Sequence, residues 1–290
     1  MQIECVAAVG AQLGEGALWD GDRGVLWWLD IRAAILHCHH VPSGRNRAQP
    51  LDCRLTALGL AGRDELIACG DRGFVRLSVT DELGVKIGEV IRSPHERPGN
   101  RFNDGKVDAR GRFWAGTMDD AEDGAYGALY RLDGNAVLRQ IRTGMRVPNG
   151  PCFLADGTVL VTDTAHRRIT ALLLDEQGEP TAEREFARFT NEQGFPDGMT
   201  VDAEDHVWVA FWDGWCVRRL SPAGEIVSEI ALPVQRPTCP SFGGADLQQL
   251  YITTARTGIA PEALATQPLA GGLLRIHAGV RGREPHRFGC

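Results

Sequence analysis

The chain has 290 residues, 43% of them hydrophobic, and a formal net charge of −7 at pH 7. That length suits two ordinary domains or one large β domain, with enough apolar residues for a substantial core. The acidic balance argues against nucleic acid or an anionic membrane surface as partner, since both favour a basic face, and no apolar run approaches the roughly 18 residues that span a bilayer.

The first residues, Met1-Gln2-Ile3-Glu4-Cys5, lack the basic start and long apolar stretch of a secretory leader, so the sequence predicts a cytoplasmic protein. Its eight cysteines are scattered, with no Cys-x-x-Cys pair. A chain of this size does not need disulfide staples, so they are expected to be reduced and mostly buried.

A short apolar strand opens at Leu26, and others open at Leu66, Phe113, Val159, Val207 and Leu250, at spacings of 40, 47, 46, 48 and 43 residues. Each follows a turn signal, such as Gly21-Asp22-Arg23-Gly24 or Ala109-Arg110-Gly111. A further strand can be read after most of them, as at 127–132 and 168–174. A turn such as Asp133-Gly134-Asn135 comes next, then a more polar strand such as 136–141. Helical periodicity is almost absent. Six units of about 45 residues, each with four strands, are the signature of propeller blades. The sequence therefore predicts an all-β fold: a six-bladed β-propeller of four-stranded antiparallel blades, with residues 1–290 as a single domain. The ring is expected to close by pairing of the N-terminal segment 4–9 with the last strands near 272–276, which removes an open sheet edge.

Ten residues before each of these starts, eleven in the first unit, begins the strand that lines the channel of a propeller. Those positions hold Glu15, Thr56, Asn103, Asn149, Asp197 and Pro240, the last beside Thr238 and Cys239. Glu15, Asn103, Asn149 and Asp197 are thereby predicted to point at one mouth. Two carboxylates in a confined space repel unless a proton or a cation lies between them. Hard oxygen donors suit a divalent cation of the calcium, magnesium or manganese kind. So few charges leave coordination positions for water and substrate, as catalysis requires. Asn149-Gly150 and Asp197-Gly198 are each also hairpin-turn signals. The shared phase of four polar residues favours the metal site.

At these residues the sequence resembles the senescence-marker-protein/gluconolactonase family of six-bladed propellers. The matching motifs are Leu13-Gly14-Glu15-Gly16, Asn100-Arg101-Phe102-Asn103-Asp104-Gly105-Lys106, Gly116-Thr117-Met118, Pro148-Asn149-Gly150, Pro196-Asp197-Gly198-Met199 and Phe242-Gly243-Gly244. The resemblance implies one divalent metal, of the calcium, zinc, manganese, magnesium or iron(II) kind, bound by Glu15, Asn149 and Asp197. It also implies substrate contacts from Arg101 and Asn103, and hydrolysis of lactones, mostly of sugar acids. Some members add a glutamate soon after the Gly-Thr-Met motif; here that stretch is Asp119-Asp120-Ala121-Glu122-Asp123, shorter and without a clear match.

The expected activity is metal-dependent opening of an aldonolactone to the aldonic acid. The metal polarises the carbonyl and Asp197 acts as general base. The alternatives are a phosphotriesterase-like hydrolase on the same fold and a non-enzymatic metal-binding propeller. The partner is a small sugar lactone, and a monomer is the default. Asp104 and Lys106 are expected to fix the turn, and Asp163 to take a supporting or structural role. Trp27, Trp28, Trp114 and Trp208 are expected in the core, and Trp212 and Trp215 in a later loop that could wall a pocket. In His37-Cys38-His39-His40 alternate residues face opposite ways on a strand, which argues against a soft-metal cluster.

Overall fold

A computed structural model describes residues 2–94 and 96–289. They form six four-stranded antiparallel sheets. The sheets follow one another along the chain at residues 14–50, 55–92, 100–145, 148–188, 195–231 and 237–277, here called blades one to six. These are the blades of a six-bladed β-propeller. All six strand starts read from the sequence fall on the first or second residue of the second strand of their blade, and all six side chains are buried. The third strands Gly127–Leu132 and Arg168–Leu174 also match. The fourth strand of blade three runs Leu138–Met145, a few residues later than expected, because the turn before it extends through Ala136, whose φ is 63°.

Two compact units divide the described residues. One runs up to Arg54 and resumes from Phe189 to Glu284, holding blades one, five and six; the other holds blades two, three and four with the tail from Pro285. In the first unit the N-terminal strand Ile3–Ala7 completes blade six. It pairs antiparallel with Leu273–His277, Glu4 opposite Arg275 and Cys5 opposite Leu274. The expected pairing of the two ends of the chain is thus present.

Within each blade the last strand is the most exposed. Gly14–Asp20 is wholly buried, whereas Arg45–Pro50 is mostly exposed. Each unit has cores of its own. Phe74, Phe102 and Phe113 pack edge to face in the second unit, and Trp208 meets Phe242 edge to face in the first. The four tryptophans assigned to the core are buried.

The repeated phrase Val-Asp-Ala seen at 107–109 and 201–203 has a structural meaning. Asp108 Oδ1 accepts the Arg110 and Arg112 amides at 2.9 and 3.0 Å, closing the turn. Its Oδ2 accepts Arg112 Nε and the Trp114 indole N–H, both at 2.7 Å. Asp202 repeats this with the Glu204 and His206 amides, the Trp208 indole at 2.9 Å and Arg219 at 2.8 Å. Asp20 accepts the Trp27 indole and Arg23. One buried carboxylate per blade thus joins first strand, turn and second strand in blades one, three and five.

Among the described residues seven cysteines stand outside any disulfide, five of them buried; Cys290 lies outside the described residues. Burial pushes the thiols of Cys69 and Cys216 up to about 12. The thiolate is the reactive form, so iodoacetamide at pH 8 is expected to label Cys5 and Cys53, both partly exposed, well before Cys69 or Cys216. Peptide mass spectrometry of the native protein reads the order, and labelling of Cys69 as fast as Cys53 would contradict it. No helix among the described residues is long and apolar enough to cross a membrane. The single α-helix among the described residues, Pro261–Ala265, has no counterpart among the elements expected from the sequence.

Candidate functional site

The first strand of every blade carries a register break near its start, where its pairing with the second strand skips. Such bulges re-aim side chains that a regular strand would send to alternate faces. All of Glu15, Asn103, Asn149 and Asp197 sit at these breaks. Asn103 and Asp104 lie between the pairs Phe102–Thr117 and Gly105–Ala115. Asn149 pairs with Thr162, and pairing resumes only at Cys152. Asp197 lies between Pro196–Phe211 and Met199–Val209, and Glu15 precedes a skip that ends at Leu18. Asn149-Gly150 and Asp197-Gly198 are therefore not hairpin turns. Gly150 has φ 76° and Gly16 has φ 61°, a region that disfavours side chains. That is why glycine follows Glu15 and Asn149.

In the second unit the expected substrate and metal residues form one hydrogen-bonded chain. Arg101 Nε donates to Asp120 Oδ1 at 2.5 Å, and Nη1 donates to Asn103 Oδ1 at 3.0 Å. Asn103 Nδ2 donates to Asn149 Oδ1 at 3.0 Å and to the Pro148 carbonyl at 2.9 Å. Asn149 Nδ2 donates to Thr164 Oγ1 at 2.9 Å. Thr164 thus fixes the side on which the Asn149 carbonyl lies. That oxygen has two lone pairs, and Asn103 uses one. Asp104 lies beneath, its two oxygens accepting the amides of Gly105 and Gly150 at 2.7 and 2.9 Å. Burial raises its pKa, against the pull of Lys106 and the two amides. Its role is to join blade three to blade four, more than the local turn expected for it.

Two further groups support this chain. Glu96 Oε1 accepts the hydroxyls of Thr117 and Tyr130 at 2.9 and 2.6 Å, and its other oxygen accepts Asn100 Nδ2. Burial, then the contact with Glu96, raises the Tyr130 pKa. Asp163 ends its strand opposite Pro148 and meets His166 Nδ1 at 2.9 Å.

In the first unit Glu15 and Asp197 are 6% and 5% exposed. Glu15 Oε2 accepts the Gly16 amide at 3.2 Å. The first strand of blade six, Pro237–Gly243, packs against the strands carrying both residues. Thr238, in its bulge, donates to the Gly14 carbonyl at 2.6 Å. A Cβ on Gly198 would meet the Thr238 carbonyl at 2.9 Å, so the chain beside Asp197 must be glycine for the strands to approach. Trp212 is corrected from loop to strand: it pairs with Phe195 two residues before Asp197, and Arg236 stacks on it at 4.5 Å. Trp215 lies in the loop after it and is exposed.

By donor type, the carboxylates of Glu15 and Asp197 in the first unit and the carboxamide oxygen of Asn149 in the second are hard oxygen ligands, the kind a divalent cation takes, and none is a sulfur or an imidazole. No group of three or more His, Cys, Asp or Glu gathers among the described residues. His37, His39 and His40 go to separate partners, the Trp28 ring, Asn46 and Ser43.

Residues 13–256 match the family described as SMP-30/Gluconolactonase/LRE-like region. The chain is 36% identical to a 6-deoxy-6-sulfogluconolactonase of Pseudomonas putida, over 97% of its own length and 96% of the relative's. It is 34% identical to the pentonolactonase XacC of Haloferax volcanii, over 99% and 98%. The solved structure of a calcium-binding protein, regucalcin, from Agrobacterium tumefaciens superposes with a TM-score of 0.91 at 28% identity, covering 98% of this chain and 96% of that one.

Proposed function

The chain belongs to the SMP-30/gluconolactonase/LRE-like family, and from that premise we propose that it is a carboxylic-ester hydrolase that opens a sugar-acid lactone to the free acid. The relatives named as lactonases, matched over nearly their whole length, support the reaction class. The observation that carries the site is the shared register break. Glu15, Asn149 and Asp197 stand at equivalent bulges of the first strands of blades one, four and five. In this reading the three hold one divalent cation, and residues 1–290 work as a single domain. Seven described cysteines outside any disulfide support a reducing, cytoplasmic setting, and in this reading the chain acts as a monomer.

When bound, the cation supplies Lewis acidity toward the lactone carbonyl oxygen and toward the charge that develops there. Arg101 and Asn103, already aligned by their mutual hydrogen bond, hold the hydroxyl oxygens and set the face of the carbonyl. Asp197 accepts a proton from the attacking water. The water oxygen bonds to the carbonyl carbon, the ring C–O bond breaks, and the ring oxygen takes a proton to become a hydroxyl. The carboxylic acid formed ionises near neutral pH, so turnover releases acid.

That proton is the readout. At constant pH, titrated opening of glucono- and pentonolactones is expected to exceed background, to vanish after chelation and to return on adding a divalent cation. Chelator-resistant hydrolysis would remove the metal from the reading. Absence of hydrolysis on every aldonolactone, with cation present, would remove the activity.

A further inference from the structure

Resting on the lactonase reading, we infer that Asp120 makes the site discriminate by charge, favouring neutral polyhydroxy lactones over lactones that carry an acidic substituent. Arg101 is the one cation in the chain of side chains running to Asn149, and a lone guanidinium there would attract a carboxylate or sulfonate. It is not alone. Asp120 Oδ1 sits 2.5 Å from Arg101 Nε. Arg101 is buried whereas the Asp120 side chain is 40% exposed, so the negative charge stands on the solvent side of the positive one.

The rest of the rim adds to this charge. Asp119, Asp120, Glu122 and Asp123 fall within five residues. Asp119 Oδ2 accepts the Asp123 amide at 3.1 Å, which folds the segment into a fixed turn. Arg146 reaches the same segment but donates to the Glu122 carbonyl, not to a carboxylate. Residues 119–123 thus carry four carboxylates and no cation of their own, and Glu96 accepts the Thr117 and Tyr130 hydroxyls on the same blade. A neutral lactone offers Arg101 only hydroxyl and carbonyl oxygens, which its donors can hold while the ion pair stays intact. An anionic lactone must either displace Asp120 from Arg101 or lie beside it. One like charge roughly 7 Å away in a partly solvated rim changes affinity by about three- to fiftyfold.

The test compares glucono-δ-lactone with a glucarolactone, which has the same polyol character and one free carboxylate. The wild-type protein and D120N are assayed at low salt and with added sodium chloride. Asparagine keeps an acceptor for Arg101 Nε and removes the charge. The wild type is expected to prefer the neutral lactone in kcat/KM by about tenfold or more. D120N should narrow that preference by about tenfold, through KM for the anion, and salt should narrow it in the wild type alone. If D120N lowers both lactones equally, Asp120 only holds Arg101 in place and the inference is overturned. An unchanged ratio, or a wild type that takes both lactones equally, overturns it as well. Hydrolysis of neither lactone by the wild type overturns the lactonase reading itself, and the inference with it.

Discussion

Replacing Asp197 with asparagine is expected to lower kcat for lactone opening by about a thousandfold or more, with the fold unchanged. The reasoning starts from the backbone. Asp197 sits in a bulge held on both sides by cross-strand pairs, Pro196 with Phe211 and Met199 with Val209. The side chain is buried, so its direction is set by the strand and not by solvent. Asparagine matches the volume and keeps one oxygen, so packing around Gly198 and Thr238 survives. It cannot accept the proton of an attacking water, and it withdraws one negative charge from the proposed ligand set. General base catalysis alone contributes about a hundred- to ten-thousandfold, and weaker cation binding compounds the loss. Titrated hydrolysis at saturating lactone, beside circular dichroism and metal content, separates the parts. A D197N protein within tenfold of wild type, at full metal occupancy, would show that another group takes the proton.

The blade pattern was legible because it rests on local chemistry. A buried second strand must begin with an apolar residue after a turn, and that places Leu26, Phe113 and Val207 to within a residue. The level of Glu15, Asn149 and Asp197 was legible for the same reason, as a fixed offset from those starts. The bulge was not. Asn-Gly and Asp-Gly spell a hairpin turn and a strand bulge alike, though here Gly150 is needed for its φ of 76° and Gly198 for the close approach of the Thr238 carbonyl; only pairing with the neighbouring strand distinguishes turn from bulge. The contacts that hold Arg101, Asn103 and Asn149 and their neighbours together were also out of reach. Asp120 on Arg101, Thr164 on Asn149 and Glu96 on Thr117 join residues 19, 15 and 21 apart. No hydrophobic period reports a tertiary hydrogen bond. Trp212 read as loop because Asp213-Gly214 follows it directly; its pairing with Phe195 extends the strand by that one residue. Pro261–Ala265 is too short to show a helical repeat.

Asp108→Ala is expected to destabilise the protein by about 3–5 kcal/mol, the usual consequence of removing one partner from a buried ion pair. Asp108 accepts two backbone amides, the Arg112 guanidinium and the Trp114 indole, with Arg112 Nη2 at 2.6 Å. Alanine leaves those donors without their acceptor, and a buried cation without its partner. The turn at Ala109-Arg110-Gly111 loses its closure, and Trp114, fully buried between blades three and four, loses its orienting bond. At roughly 2–4 °C per kcal/mol for a chain of this size, the melting temperature falls by about 10 °C. Glu65→Ala supplies the contrast. Glu65 pairs with Arg76 at a similar 2.8 Å, yet their side chains are 44% and 50% exposed. Water screens that pair and replaces it when it is broken, so the expected change is below about 1 kcal/mol. Equal distances with unequal burial therefore predict unequal losses, and thermal melts of the two variants decide the matter. If D108A and E65A melt together, the carboxylate repeated in blades one, three and five is not what fastens first strand to second, and the phrase shared by residues 107–109 and 201–203 needs another physical cause.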